Sequence, residues 1–263
     1  MPLLEQLTTH SRQSTATVAV GTYLVAALAW LALVLHDPLE HALVGHSVLG
    51  SHGGPGVAET TAVADGTLGV VHYLLMWGLM MVAMMYPSTA AAFQWYADRQ
   101  RRRPDAGPAT AVLAFVASYT LLWVAVGVAP LAVVALVPLG TVAAALGPAY
   151  LGVALLAVGG FQLSPVKRRS LRACRSPAGF LPPGTEDRRP ASLGWQFGRQ
   201  DVAACGVLMA LMVVVGSMNL GWMALITVVL SLERLTDHGE RWARWTGYVA
   251  VGSGVGLLAL AAL

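Results

Sequence analysis

Charge is what this sequence has least of. Only 11% of its 263 residues are Asp, Glu, Lys or Arg, against roughly 25% in an average soluble domain. So few charges cannot cover the surface of a soluble fold of this size, which excludes an ordinary soluble globular protein and a disordered chain. Cysteine is nearly absent. Cys174 and Cys205 are the only two, far apart and in different surroundings, which excludes a disulfide-rich secreted scaffold. The segment 36–70 holds no Lys or Arg at all. The Gly-rich stretch His52–Gly56 is not followed by Gly-Lys-Ser/Thr, so it is no phosphate loop. No Ser/His/Asp or paired-carboxylate constellation is visible. The net charge of +3 is concentrated in two short basic segments, so nucleic acid is not an expected partner.

What is abundant is apolar sequence: 56% of the chain is hydrophobic, and it comes in long runs. A bilayer core about 30 Å thick needs about 20 apolar residues in a helix. Val18–Leu35 is the first such run, long for a signal peptide and without a clean small-x-small cleavage site. Val71–Tyr96, Ala109–Val137 with a kink expected at Pro130, Thr141–Leu163, Val202–Leu232 and Thr246–Leu263 follow. The sequence therefore predicts an all-α polytopic transmembrane bundle of six spans. It is one integral membrane domain, residues 1–263, with the lipid bilayer as its surroundings. The 31-residue run Val202–Leu232 exceeds one perpendicular span. A break at Gly216-Ser217-Met218-Asn219 would give seven segments instead.

Basic residues orient the helices. Arg99, Arg101, Arg102 and Arg103 lie in one loop. Lys167, Arg168, Arg169, Arg172, Arg175, Arg188, Arg189 and Arg199 lie in another, residues 164–200. Lys and Arg favour the cytoplasmic side. These loops are then cytoplasmic, the 36–70 loop is extracytoplasmic, and six spans place both termini in the cytoplasm. One segment disagrees: Glu233–Trp245 would be outside, yet it contains Arg234, Arg241 and Arg244. A hairpin within the preceding run would return it to the cytoplasm.

Three features suggest chemistry. His72, Met76, Met80 and Met84 recur every four residues and share a helical face, with Met81 and Met85 beside it. Thioethers select Cu(I), and imidazole also suits copper; the alternative is gap-filling by a flexible side chain. Asp201, Cys205, Met209 and Met212 form a second such face, although Asp201 also suits the amino-terminal cap of a helix beginning at Val202. In the outer loop, His36, His41, His46 and His52 lie with Asp37 and Glu40 and no competing cation. That composition collects metal, or is an ordinary polar loop. The loop around Cys174 is basic, and nearby cations are expected to lower the thiol pKa. Asp201 and Asp98 are the acids expected near the apolar spans.

Several motifs resemble one family. Met76-Trp77, Met80, Ala83-Met84-Met85 and Pro87-Ser88 match M-W-x-x-M-x-x-A-M-M-x-P-S. Phe161-Gln162-Leu163-Ser164-Pro165-Val166-Lys167 is similar to Y-Q-x-T-P-L-K. Ala173-Cys174-Arg175-Ser176-Pro177, Gly216-Ser217-Met218-Asn219-Leu220 and Glu233-Arg234 are similar to its C-R-S-P, G-V-M-N-L and E-K stretches. Over residues 70–240 the chain thus resembles a bacterial family of predicted metal-binding integral membrane proteins of unknown function. The resemblance implies a helical membrane fold and metal binding. The chain departs from the family's H-G and C-x-G-C-C-W stretch, having Phe197-Gly198 and then Asp201 and Cys205. Ser170 also stands near where the family has a cysteine. Metal binding inherited from the family is weakened at that end.

Three functions stay open. A metal-binding membrane protein would handle copper, its cofactor or cargo, through the outer loop and the His/Met stripe. A non-catalytic subunit would pack against a partner membrane protein, or a second copy, through Gly/Ala-rich helix faces carrying Gly127, Gly140, Gly152, Gly159, Gly160, Gly247, Gly252, Gly254 and Gly256. A component of a copper-dependent oxidase or monooxygenase would need two or three imidazoles, which only residues 36–72 supply.

Overall fold

The computed structural model describes residues 17–36, 54–102, 107–175 and 189–263. Every regular element among them is an α-helix. The order is α1 (Thr17–His36), α2 (Val57–Ala64), α3 (Gly66–Arg101), α4 (Pro108–Val126), α5 (Val128–Leu136), α6 (Leu139–Leu146), α7 (Pro148–Leu163), α8 (Pro165–Arg175), α9 (Pro190–Val215), α10 (Leu220–Leu235) and α11 (Gly239–Ala261). Prolines open α4, α7, α8 and α9, where the missing N–H costs no helical bond. Large apolar side chains such as Leu28, Leu113, Leu121 and Leu260 stand exposed on the outside. Four described helical segments are long and apolar enough to cross a membrane: α1, α3, α4 with α5, and α9. The bent pair α6–α7, turned through 107°, would be a fifth. The expected count of six goes beyond that.

The breaks have local causes. Pro87 lies inside the 36-residue α3 and cannot donate to the carbonyl of Ala83. Trp30 of α1 takes that acceptor, its Nε1–H donating to Ala83 O at 3.0 Å. The α4–α5 break sits at Gly127, three residues before the proline expected to cause it. A Cβ there would lie 2.6 Å from the Trp77 ring, so only glycine admits the indole. Trp77 Nε1–H donates to Trp123 O at 2.9 Å, while Gly127 N–H turns to Val124 O.

The long run Val202–Leu232 is not one helix. Its helix begins earlier, at Pro190, and stops at Val215. Gly216 has φ 110° and ψ 113°, outside what a side chain tolerates. Asn219 then caps α10, Oδ1 accepting from Trp222 N–H at 3.1 Å. The four residues thus make a hairpin turn between α9 and α10. Asp201, early in α9, meets Arg234, late in α10.

The hairpin decides where Glu233–Trp245 lies. Arg175 of α8 donates to Glu233 O at 2.9 Å and to Thr236 O at 2.5 Å. Arg172 pairs with Glu240 at 2.5 Å. The segment expected on the opposite side therefore sits beside the basic helix α8, and its arginines join the other cations. The α11 helix then returns antiparallel to α7, with Gly247 against Gly159 and Gly254 against Gly152. The carboxyl terminus ends near the start of α7, at the end of the bundle away from α8. Six of the nine glycines considered as partner-facing are used inside the chain; Gly160, Gly252 and Gly256 meet nothing within 4 Å.

Candidate functional site

Two helical faces predicted from spacing meet in one core. Met80, Met81, Met84 and Met85 of α3, Met209 and Met212 of α9 and Met223 of α10 are all buried in a single cluster that also contains Cys205. Met76 and Met218 pack against it half-buried. Nine of the ten methionines in the chain therefore belong to one apolar interior. Flexible thioethers from α3, α9 and α10 thus fill much of this interior.

The end of this core nearest α2 carries imidazole and a carboxylate. His36 closes α1 and His72 lies in the second turn of α3, and their rings meet edge to face at 5.8 Å. His41, His46 and His52, with Asp37 and Glu40, lie outside the described residues. Glu59, in the first turn of α2, is fully buried. Its Oε1 accepts from Tyr73 OH at 2.9 Å and from Ser217 Oγ in the α9–α10 turn.

The α8 end is a double ion pair. Asp201 is completely buried and lies in the fourth turn of α9, so it is not the cap anticipated for it. Its Oδ1 accepts from Arg234 NH2. Its Oδ2 accepts from Tyr119 OH at 2.6 Å and Trp123 Nε1–H at 3.3 Å. Arg234 also reaches Ser88 Oγ at 3.2 Å. One residue earlier, Glu233 Oε2 accepts from Lys167 Nζ at 2.6 Å and Oε1 from Gln162 Nε2 at 2.6 Å. Lys167 also donates to Ala204 O at 2.8 Å. Cys205 Sγ–H donates to Asp201 O at 3.0 Å. Buried charges of both signs persist because every one has a partner.

These contacts revise several expectations. Lys167, assigned to an exposed basic loop, is among the largest fully buried side chains. Glu59 and Glu233, not Asp98, are the acids that join Asp201 in the interior. Cys174 is not activated: burial, reinforced by the charge of Asp201, pushes its thiol up to about 12 against the pull of Arg234 and Lys167. It lines a cavity of about 50 Å³ with Ser88, Thr89, Phe197 and Arg234, polar enough and large enough for water. Phe197, standing where the resembled family has histidine, stacks on Phe115 and Tyr119 at 5.9 and 5.4 Å. Among the described residues no three His, Cys, Asp or Glu side chains group as a metal site.

A sequence model of the PpoB2 family, described as copper chaperone, matches residues 74–257. This chain belongs to that family. The match covers the Met-rich stretch of α3, the buried ion pairs and the α9–α10 hairpin, and it supports a copper-related role. No curated protein and no solved structure matches the chain. Within this fold, Gln162, Lys167, Asp201, Glu233 and Arg234 build the α8 end, and Met80, Met81, Met84 and Met85 belong to the buried core. Spacing pointed to methionines that prove to be buried and missed the buried charges. The one usable signal for Glu233 and Arg234 was an acid–base dipeptide ending an apolar run.

Proposed function

We propose that this copper chaperone is an integral membrane protein that takes up Cu(I) at its α2 end and holds it among the core thioethers. Met80 and Met84 of the stripe belong to the same buried cluster as Met209 and Met212. His36, His72 and the neighbouring loop histidines His41, His46 and His52 collect the ion before it reaches Met76. Asp201 serves as the counter-charge of Arg234, and Cys205 supplies the thiol nearest the sulfur core. The observation that carries this reading is the convergence of nine methionines in one interior within a copper chaperone family.

Exposed leucines on the outer surface suit lipid rather than water. With Arg99, Arg101, α8 and the start of α11 on one side, the positive-inside rule makes the α8 end cytoplasmic. On this reading the α2 end and the carboxyl terminus face outward, a different side from the cytoplasmic one expected for that terminus.

The test is anaerobic loading of detergent-purified protein with Cu(I), read as metal per protein after desalting. Wild type retains copper, and the Met80→Leu, Met84→Leu variant loses most of it. Retention of the full wild-type stoichiometry in that variant, or none in wild type, rejects the sulfur core as the holding site.

A further inference from the structure

An open cavity of about 590 Å³ lies at the α8 end, between α8 and the α10–α11 turn, and its wall is mainly arginine. Arg172 and Arg175 come from α8, Arg241 and Arg244 from the first turns of α11. Two acids, Glu240 and Asp237, share the wall, so with His238 counted neutral it keeps two positive charges. Glu240 is already taken: Arg172 holds it through two hydrogen bonds, at 2.5 and 3.1 Å. Arg175 donates to two carbonyls, Glu233 O and Thr236 O, which orient its guanidinium without neutralising it. Arg241 and Arg244 are exposed and make no hydrogen bond or salt bridge among the described residues. Guanidinium groups gathered in one concavity suit an anion with several oxygens, and phosphate is the anion whose geometry their planar fork matches.

The α11 helix carries the rest of a lipid's profile. At 3.6 residues per turn, Arg241, Trp245, Tyr248, Gly252, Val255 and Ala259 fall on one face, and all six are exposed. Cation, aromatic and apolar residue thus follow one another from the cavity along the helix. Trp245 and Tyr248 meet edge to face at 6.3 Å, and such amphipathic rings favour the level of the headgroups. Gly252 has nothing within 4 Å of where a side chain would start, which leaves the face shallow enough for an acyl chain to lie along it. A soluble phosphate would find no contact on this apolar continuation, whereas a phospholipid would. We infer that the cavity between α8 and α11 binds the phosphate of an anionic phospholipid, with Arg241 and Arg244 as its direct contacts and the α11 face as the seat of its tails. The negatively charged cytoplasmic leaflet supplies such a lipid at the α8 end. This rests on the membrane location and orientation proposed above and is independent of copper.

Native mass spectrometry of the protein in mild detergent, titrated with dioleoyl phosphatidylglycerol or dioleoyl phosphatidylcholine, tests this. The first should bind as a discrete adduct; the second, whose headgroup carries its own cation, should not. Arg241→Gln together with Arg244→Gln should weaken the adduct about thirtyfold, roughly fivefold for each cation at a lipid surface. Arg102→Gln with Arg199→Gln removes the same charge from exposed positions outside the cavity and should leave the affinity unchanged. Both variants alter exposed side chains, so their circular dichroism should match wild type. Glycerol phosphate, the headgroup without its tails, should not displace the lipid at equal concentration. Equal losses in the two double variants would mean diffuse attraction to the surface and overturn the cavity. Equal binding of phosphatidylcholine overturns the role of charge, and displacement by glycerol phosphate gives the site to a soluble phosphate ester. An alkaline carbonate wash of membranes tests the location separately: release of the protein removes the membrane reading, whereas a protein that stays in the membrane and ignores phosphatidylglycerol overturns this site alone.

Discussion

Replacing Lys167 by methionine should destabilise the protein more than replacing Lys167 and Glu233 together. Lys167 is fully buried and holds Glu233 Oε2 and Ala204 O. The single substitution strands the Glu233 charge with Gln162 as its remaining side-chain partner. Breaking a buried pair in this way costs about 3–5 kcal/mol. In a chain of this length that is roughly 6–20 °C in unfolding temperature. In the double variant Lys167→Met, Glu233→Met the stranded charge is gone. What stays behind is an unmatched Gln162 amide, about 1–3 kcal/mol, because Ala204 O keeps its bond within α9. The double variant should therefore unfold above Lys167→Met, with a clearly non-additive cycle. Thermal unfolding in mild detergent, followed by circular dichroism, measures all four corners. Additive losses, with the double variant lowest of all, would refute the ion pair as the reason these charges are buried.

Other expectations are as direct. Cys174, its thiol pushed up to about 12 by burial from an ordinary value near 9, should react with iodoacetamide at pH 8 about a thousandfold more slowly than an exposed cysteine, because only the thiolate attacks. Alkylation followed by mass spectrometry checks this, and a rate like that of a free thiol would rule the burial out. Gly216→Ala forces a side chain onto φ 110° and should cost about 1–3 kcal/mol, measured by the same unfolding assay; an unchanged midpoint would mean that the turn relaxes freely. On the proposed topology, a carboxyl-terminal alkaline phosphatase fusion should be active and a fluorescent-protein fusion dark. The opposite pattern would restore a single crossing over Val202–Leu232.

Helix class was legible because apolar runs of this length, interrupted by Pro and Gly, have few other solutions. The thioether stripe was legible because residues four apart share a face. The turn at Gly216 was visible as an option only; its φ made it necessary. Burial of Lys167 and Glu59 could not be read from the chain. Lys167 sits at the head of a basic run and looks solvated, and Glu59 looks like one acid in a polar loop. Their positions depend on partners 66 and 158 residues away, and no local pattern carries that information. The same holds for Asp201, whose place in a helix looked terminal because the polar residues before it hid the true start at Pro190.

Pro87 and Trp30 tie the amino-terminal helix to the rest. The α1 helix finds a side-chain mooring at the Ala83 carbonyl, and that oxygen is vacant only because an imino acid stands one turn later. A change of Pro87 to any ordinary residue would reclaim it for the α3 ladder and leave the indole to drift. A single ring closure in the middle of one rod thus sets the depth at which its neighbour rides.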